Sequence, residues 1–103
     1  MEFPRLSDGQ YAVLGVEVCT GIVLRLDRQR HLGSGEVWRV FESLEAARDF
    51  ADAEVAAHPT IECSIHDATQ QSVVTVKNEQ YVADFLATSR ARRQRRWWQF
   101  WKS

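Results

Sequence analysis

One segment of this chain has both ends of a helix written into it. Ser43 offers a hydroxyl to the unbonded N–H groups of a first turn, and Glu45 sets a carboxylate at the positive end of the helix dipole. Pro59 disfavours the α region for His58 and so stops the run. Between these limits Leu44, Ala47, Phe50, Ala51 and Val55 recur at three- and four-residue intervals, which gathers them into one stripe. Glu45, Arg48, Asp49, Asp52 and Glu54 take the wetter faces, and the many alanines add intrinsic helix preference. Such a helix has one apolar stripe to bury, so the rest of the chain must supply a surface for it.

The flanking segments alternate like strands. Tyr11–Cys19 is rich in β-branched residues and predicts a first strand; Thr20-Gly21 predicts a two-residue turn with Gly21 at positive φ. Ile22, Leu24 and Leu26 alternate with Val23, Arg25 and Asp27 as a second strand. Arg28–Gly35 reads as a polar loop and Glu36–Phe41 as a third strand. Beyond the helix, Ile61, Cys63 and Ile65 alternate with Glu62, Ser64 and His66; Asp67–Gln71 is turn material, and Ser72–Val76 completes a hairpin. A last helix is expected to begin near Asn78, with Tyr81, Val82, Phe85, Leu86 and Ser89 on the side that packs on the sheet. The order β-β-β-α-β-β-α lacks the βαβαβ alternation of parallel sheets. It predicts an α+β fold with a mainly antiparallel sheet of about five strands, in a single domain over 1–89, followed by a basic, Trp-rich stretch over 90–103. A chain of 103 residues has length for one modest core.

The residues that most often carry chemistry are scattered. His31 lies in the Gly-rich loop, His58 at a helix end and His66 at a strand end. Cys63 and His66 are three apart on a strand, which points them to opposite faces. No spacing supplies the four ligands, or three plus water, of a zinc site. Gly33-Ser34-Gly35 lacks the spacing and the Lys of a phosphate-binding loop. Cys19 and Cys63 each sit in a strand-like run and are expected to be reduced core thiols, with a disulfide as the alternative. We therefore expect no enzyme, no metal and no cofactor. The opening Met1-Glu2-Phe3-Pro4-Arg5 has no basic region leading into an apolar run, and no apolar stretch approaches the roughly 20 residues of a membrane span, so the cytoplasm is the expected compartment.

Charge is distributed unevenly. Residues 1–89 hold seven Lys and Arg against all fourteen Asp and Glu, about −7, whereas residues 90–103 hold the other six basic groups and no acid, about +6. Three of the four Trp, namely Trp97, Trp98 and Trp101, lie in that basic end. Arg90, Arg92, Arg93, Arg95 and Arg96 are candidates for binding nucleic-acid phosphates, with Trp stacking on bases, or for an anionic membrane surface. Two further readings are packing of the aromatic end on the body or a partner, and a frayed terminus. In the body, Glu36, Glu42, Glu45, Asp49, Asp52 and Glu54 outnumber Arg39 and Arg48 across the third strand and the first helix. A negative surface of this kind speeds capture of a basic protein, and exposed aromatics then anchor the contact. The candidate partner-binding residues are Glu45, Asp49 and Asp52 for steering, and Trp97, Trp98 and Trp101 for anchoring.

Trp38-Arg-Val-Phe-Glu-Ser-Leu-Glu-Ala-Ala-Arg-Asp-Phe-Ala51, followed by His58-Pro-Thr-Ile-Glu-Cys-Ser-Ile-His-Asp67, resembles a pattern found in small bacterial immunity proteins. The shared features are a strand ending in Val-Phe, a Ser-Leu-Glu-Ala helix start and a Pro-x-Ile-Glu-Cys strand, over about 30 residues. The resemblance implies a cytoplasmic inhibitor that binds one secreted or injected toxin and occludes its active site. The Arg/Trp end has no counterpart in that pattern. The expectation is thus a non-catalytic binder of a cognate protein toxin, and the alternative is an adaptor for nucleic acid or anionic membrane.

Overall fold

The computed structural model describes residues 3–33 and 35–88. Within them the chain forms β1 (Tyr11–Glu17), β2 (Val23–Leu24), β3 (Trp38–Phe41), α1 (Leu44–Ala57), β4 (Ile61–His66) and β5 (Ser72–Val76). Residues 79–88 form a further helical stretch, α2. The fold is α+β, with a five-stranded antiparallel sheet as expected.

β1 is the organising strand. β4 occupies one of its edges, from Ala12↔His66 to Glu17↔Ile61. Its other edge is shared: β3 pairs with Tyr11 to Leu14, and β2 pairs with Gly15 and Val16. β5 then adds outside β4 with a register shift at Ile65/His66. β2 and β3 thus divide one edge of β1 between them, and with β3 reaching Leu14 there is room for only two residues of β2.

The expected second strand, Ile22 to Asp27, stops at Leu24 for a local reason. The Asp27 carboxylate accepts the Gln29 N–H at 3.0 Å, the Arg25 N–H donates to the Gln29 carbonyl at 2.8 Å, and Arg28 takes φ 66°. An Asx-type turn displaces the strand. β1 likewise ends at Glu17 rather than Cys19, because the Gly21 N–H donates to the Glu17 carbonyl at 2.8 Å. Gly21 has the positive φ expected of it, 71°, but the reversal runs through residues 18–21 instead of two residues.

α1 is built as its sequence requires. The Ser43 side chain accepts the Ala46 N–H at 3.1 Å, and the His58 N–H closes the last turn on the Glu54 carbonyl at 2.8 Å. Ala47, Ala51 and Val55 bury against Val13, Leu24, Ile61, Cys63 and Ile65, with Leu44, Phe50, Tyr11 and Phe41 packed around them. Phe41 and Phe50 stack with ring centroids 5.2 Å apart. Ile65 is fully enclosed, and burial of a side chain of that kind contributes about 1.5–3 kcal/mol.

α2 departs from expectation. Asn78 caps it through its side-chain oxygen, which accepts the Tyr81 N–H at 2.9 Å, and Tyr81 and Val82 are half-buried. Phe85 and Leu86, expected on the sheet, are 40% and 50% exposed. Ser89 lies outside the described residues. The first turn of α2 is docked, by the Tyr81 hydroxyl 3.1 Å from Cys19 Sγ, and the apolar side of its next turn is open.

Candidate partner-binding surface

The stripe of α1 opposite its core residues carries Glu45, Asp49 and Asp52, all exposed. Their spacing of four and then three residues sets them one above another, with exposed Arg48 beside them. None of the three enters an ion pair among the described residues. The pairs found there are Arg25–Asp27 at 2.8 Å, Arg28–Glu54 at 2.8 Å, Arg30–Glu17 at 2.9 Å and His58–Glu54 at 3.8 Å.

The broader acidic cluster read from the sequence is divided by the fold. Glu54 turns toward the loop after β2, where Arg28 holds it and leaves its side chain 10% exposed. Glu42 accepts from the Gln10 amide at 3.1 and 3.2 Å. Arg39 lies under α1: its guanidinium carbon is 5.1 Å from the Phe50 ring centroid, and it donates to the Leu26 carbonyl at 2.7 Å. The group that remains on the surface of α1 is Glu45, Asp49 and Asp52 with Arg48. Trp97, Trp98 and Trp101, and the anion-binding candidates Arg90, Arg92, Arg93, Arg95 and Arg96, lie outside the described residues.

The sheet face away from α1 holds an arrangement that the sequence reading missed. Because Ile61, Cys63 and Ile65 point into the core, Ser64 and His66 point the other way. Ser64 Oγ is 2.9 Å from His66 Nε2 and 3.1 Å from Ser72 Oγ, while His66 Nδ1 faces the Gln70 carbonyl at 3.4 Å. Since that carbonyl only accepts, the consistent assignment has Nδ1–H donating to it and Nε2 accepting from the Ser64 hydroxyl. Ser64 and His66 stand at the distance of a nucleophile and its base, yet their other bonds stay within the β4–β5 hairpin. We read the chain Gln70–His66–Ser64–Ser72 as a clasp on that hairpin. The sequence signal was the i, i+2 spacing of Ser64 and His66 on an alternating strand.

His66 is also packed edge-on against Trp38, at 4.9 Å between centroids, and Trp38 against Phe3 at 4.8 Å. Trp38 therefore sits on the face away from α1. Its indole Nε1 is buried and has no hydrogen-bond partner among the described residues.

The two cysteines have different fates. Cys63 is in the core as expected, and burial, with the nearby Glu54 and Glu62 carboxylates, pushes its thiol up to about 11. Cys19 is no core thiol: it lies in the turn after β1, exposed and free. The correction follows from β1 ending two residues early. Among the described residues no group of three or more His, Cys, Asp or Glu is placed to hold a metal ion, and no helix is long and apolar enough to cross a membrane.

Compared with protein-family models, with curated proteins and with solved structures, the chain matches none.

Proposed function

We propose that this chain is a non-catalytic inhibitor that binds one protein toxin, in the manner of an immunity protein, and occludes its active site. One observation carries the reading: Glu45, Asp49 and Asp52 form an exposed acidic stripe on a rigid helix and have no ion-pair partners among the described residues. Carboxylates placed this way have no ion pair among the described residues to break on binding. Their field attracts a basic surface from beyond contact distance. The segments that resemble immunity proteins, Trp38–Ala51 and His58–Asp67, cover β3, the first part of α1 and β4, which follow one another along the chain and flank β1 on its two edges. An interface of ordinary size, roughly 1,200–2,000 Å² in total, would extend well beyond the stripe and cover a cleft on the toxin.

The test is neutralisation. The chain is co-expressed with a toxic polypeptide encoded beside its gene, and cell growth is followed. Wild type is expected to restore growth, and the Glu45→Lys/Asp49→Lys/Asp52→Lys variant to restore it poorly at equal protein level. Equal protection by both would remove the stripe from the account. A variant lacking residues 90–103 addresses the adaptor alternative. If it stays folded and still protects while binding to nucleic acid or liposomes disappears, the basic end is a separate module.

A further inference from the structure

The loop after β2 carries three arginines in a body that is otherwise acidic. Arg25, Arg28 and Arg30, with Glu17, Gln29 and Leu32, line one open depression of about 450 Å³. Each of the three is paired with a carboxylate, Arg25 with Asp27, Arg28 with Glu54 and Arg30 with Glu17, so the cluster is balanced in charge and what it offers a ligand is the unbonded side of each guanidinium. The volume falls in the range of small-ligand sites.

The three guanidinium groups are each held through the same two nitrogens. Arg25 gives Nε and Nη2 to Asp27, at 3.2 and 2.8 Å. Arg28 gives Nε and Nη2 to Glu54, at 3.1 and 2.8 Å. Arg30 gives Nε and Nη2 to Glu17, at 3.2 and 2.9 Å. In each case a carboxylate holds one edge of the fork, and the Nη1 N–H groups have no partner among the described residues. A guanidinium fixed by one carboxylate retains its full charge and loses little freedom when a second anion meets its other edge.

The loop itself is held in place. The His31 N–H donates to the Val23 carbonyl at 2.9 Å, the Arg28 N–H to the Arg25 carbonyl at 3.0 Å, and Leu24 bridges Arg30. Gly35, at φ 100°, lies so close to Arg25 that an added Cβ would sit 2.6 Å from Arg25 Cδ. Arg25 therefore rests directly against backbone.

We propose that this depression binds a small ligand carrying more than one phosphate-type anionic group, with the outer edges of Arg25, Arg28 and Arg30 as its recognition elements. The planar N–H pairs match phosphate oxygens, and three of them around one depression fit an oligophosphate better than a single anion. The site is independent of the stripe on α1.

The probe is inorganic pyrophosphate, titrated into the full chain at constant ionic strength and followed by amide and Arg Nε–H NMR shifts. Saturable shifts centred on residues 25–32 are expected, with affinity at least about tenfold lower in Arg25→Gln/Arg30→Gln. Because the basic end also attracts anions, a second variant replaces Arg90, Arg92, Arg93, Arg95 and Arg96 by Gln and is expected to bind within about twofold of wild type. If the double variant fails to fold, Arg30→Lys keeps the charge but not the fork and is expected to weaken binding several-fold. Absence of saturation at 25–32, unchanged affinity in a folded Arg25/Arg30 variant, or loss of binding in the tail variant would each overturn the proposal.

Discussion

Arg28 and Glu54 tie the loop after β2 to the last turns of α1, with guanidinium Nη2 2.8 Å from Glu54 Oε1 and Nε 3.1 Å from both carboxylate oxygens. The pair is lopsided: Arg28 is well exposed, whereas the Glu54 side chain is 10% exposed. Removing the arginine leaves a largely covered carboxylate without its main counter-charge, the costlier half of the exchange. Arg28→Ala is expected to lower the thermal midpoint, and Arg28→Ala/Glu54→Ala to recover part of that loss. A double-mutant cycle measures it, and strictly additive effects would show that the pair is not coupled.

The cysteines should differ in reactivity. Cys63 is buried with its thiol pushed up to about 11, so almost none is thiolate at neutral pH, while Cys19 is exposed. Brief iodoacetamide treatment of the folded chain, read by peptide mass spectrometry, is expected to label Cys19 and to spare Cys63 until denaturant is added. Labelling of both at similar rates would contradict the burial of β4.

Three carboxyls, exposed Asp27 and half-buried Glu17 and Asp67, are held below their ordinary range. Glu17 is lowered first by the hydrogen bond from Arg30, Asp27 by the Gln29 backbone N–H, and Asp67 by the Thr69 hydroxyl. A carboxyl whose folded value lies below its unfolded value adds stability above the unfolded value and loses it as pH falls through the folded one. The thermal midpoint should therefore be nearly flat from about pH 8 to 5 on account of these groups, and fall below about pH 4. Asp67→Asn, which keeps an acceptor oxygen but cannot ionise, should make that fall shallower; an identical slope would exclude Asp67 as a contributor.

Trp38 and Ile65 lie on opposite faces of the sheet and should respond differently to truncation. Ile65→Ala empties a fully enclosed site and is expected to cost about 2–5 kcal/mol in denaturant melts. Trp38→Phe keeps an aromatic against Phe3 and His66 and removes the buried Nε1 that has no partner among the described residues. It is expected to cost less than about 1 kcal/mol, because the lost packing is offset by relief of an unmet hydrogen bond. A larger loss would mean that Nε1 has a partner.

Much of this fold was legible because local and long-range preferences agree. Ser43, Pro59 and the spacing of Ala47, Ala51 and Val55 all specify α1, and Ile61, Cys63 and Ile65 alternate as a half-buried strand must. The early ends of β1 and β2 were not legible, since side-chain bonds from Thr20 and Asp27 at the turns compete with strand periodicity. Nor was the sharing of one β1 edge by β2 and β3, which is a property of pairing and not of pattern. That Glu45, Asp49 and Asp52 share a surface of α1 could be read from helical spacing alone. Which carboxylates would stay unpaired depended on contacts far apart in sequence, such as Arg28 with Glu54, so the acidic cluster came out too broad.

If the α1 stripe draws a protein partner into a stoichiometric complex, as proposed, the effect must show in association kinetics. With a polypeptide that the chain neutralises in the growth assay purified, association and dissociation rates are measured by stopped flow across ionic strength for wild type and for Glu45→Lys/Asp49→Lys/Asp52→Lys. The wild-type association rate is expected to fall steeply with salt, and the variant to associate at least about tenfold more slowly at low salt with a much smaller change in dissociation. Equal association rates with equal salt dependence would contradict it.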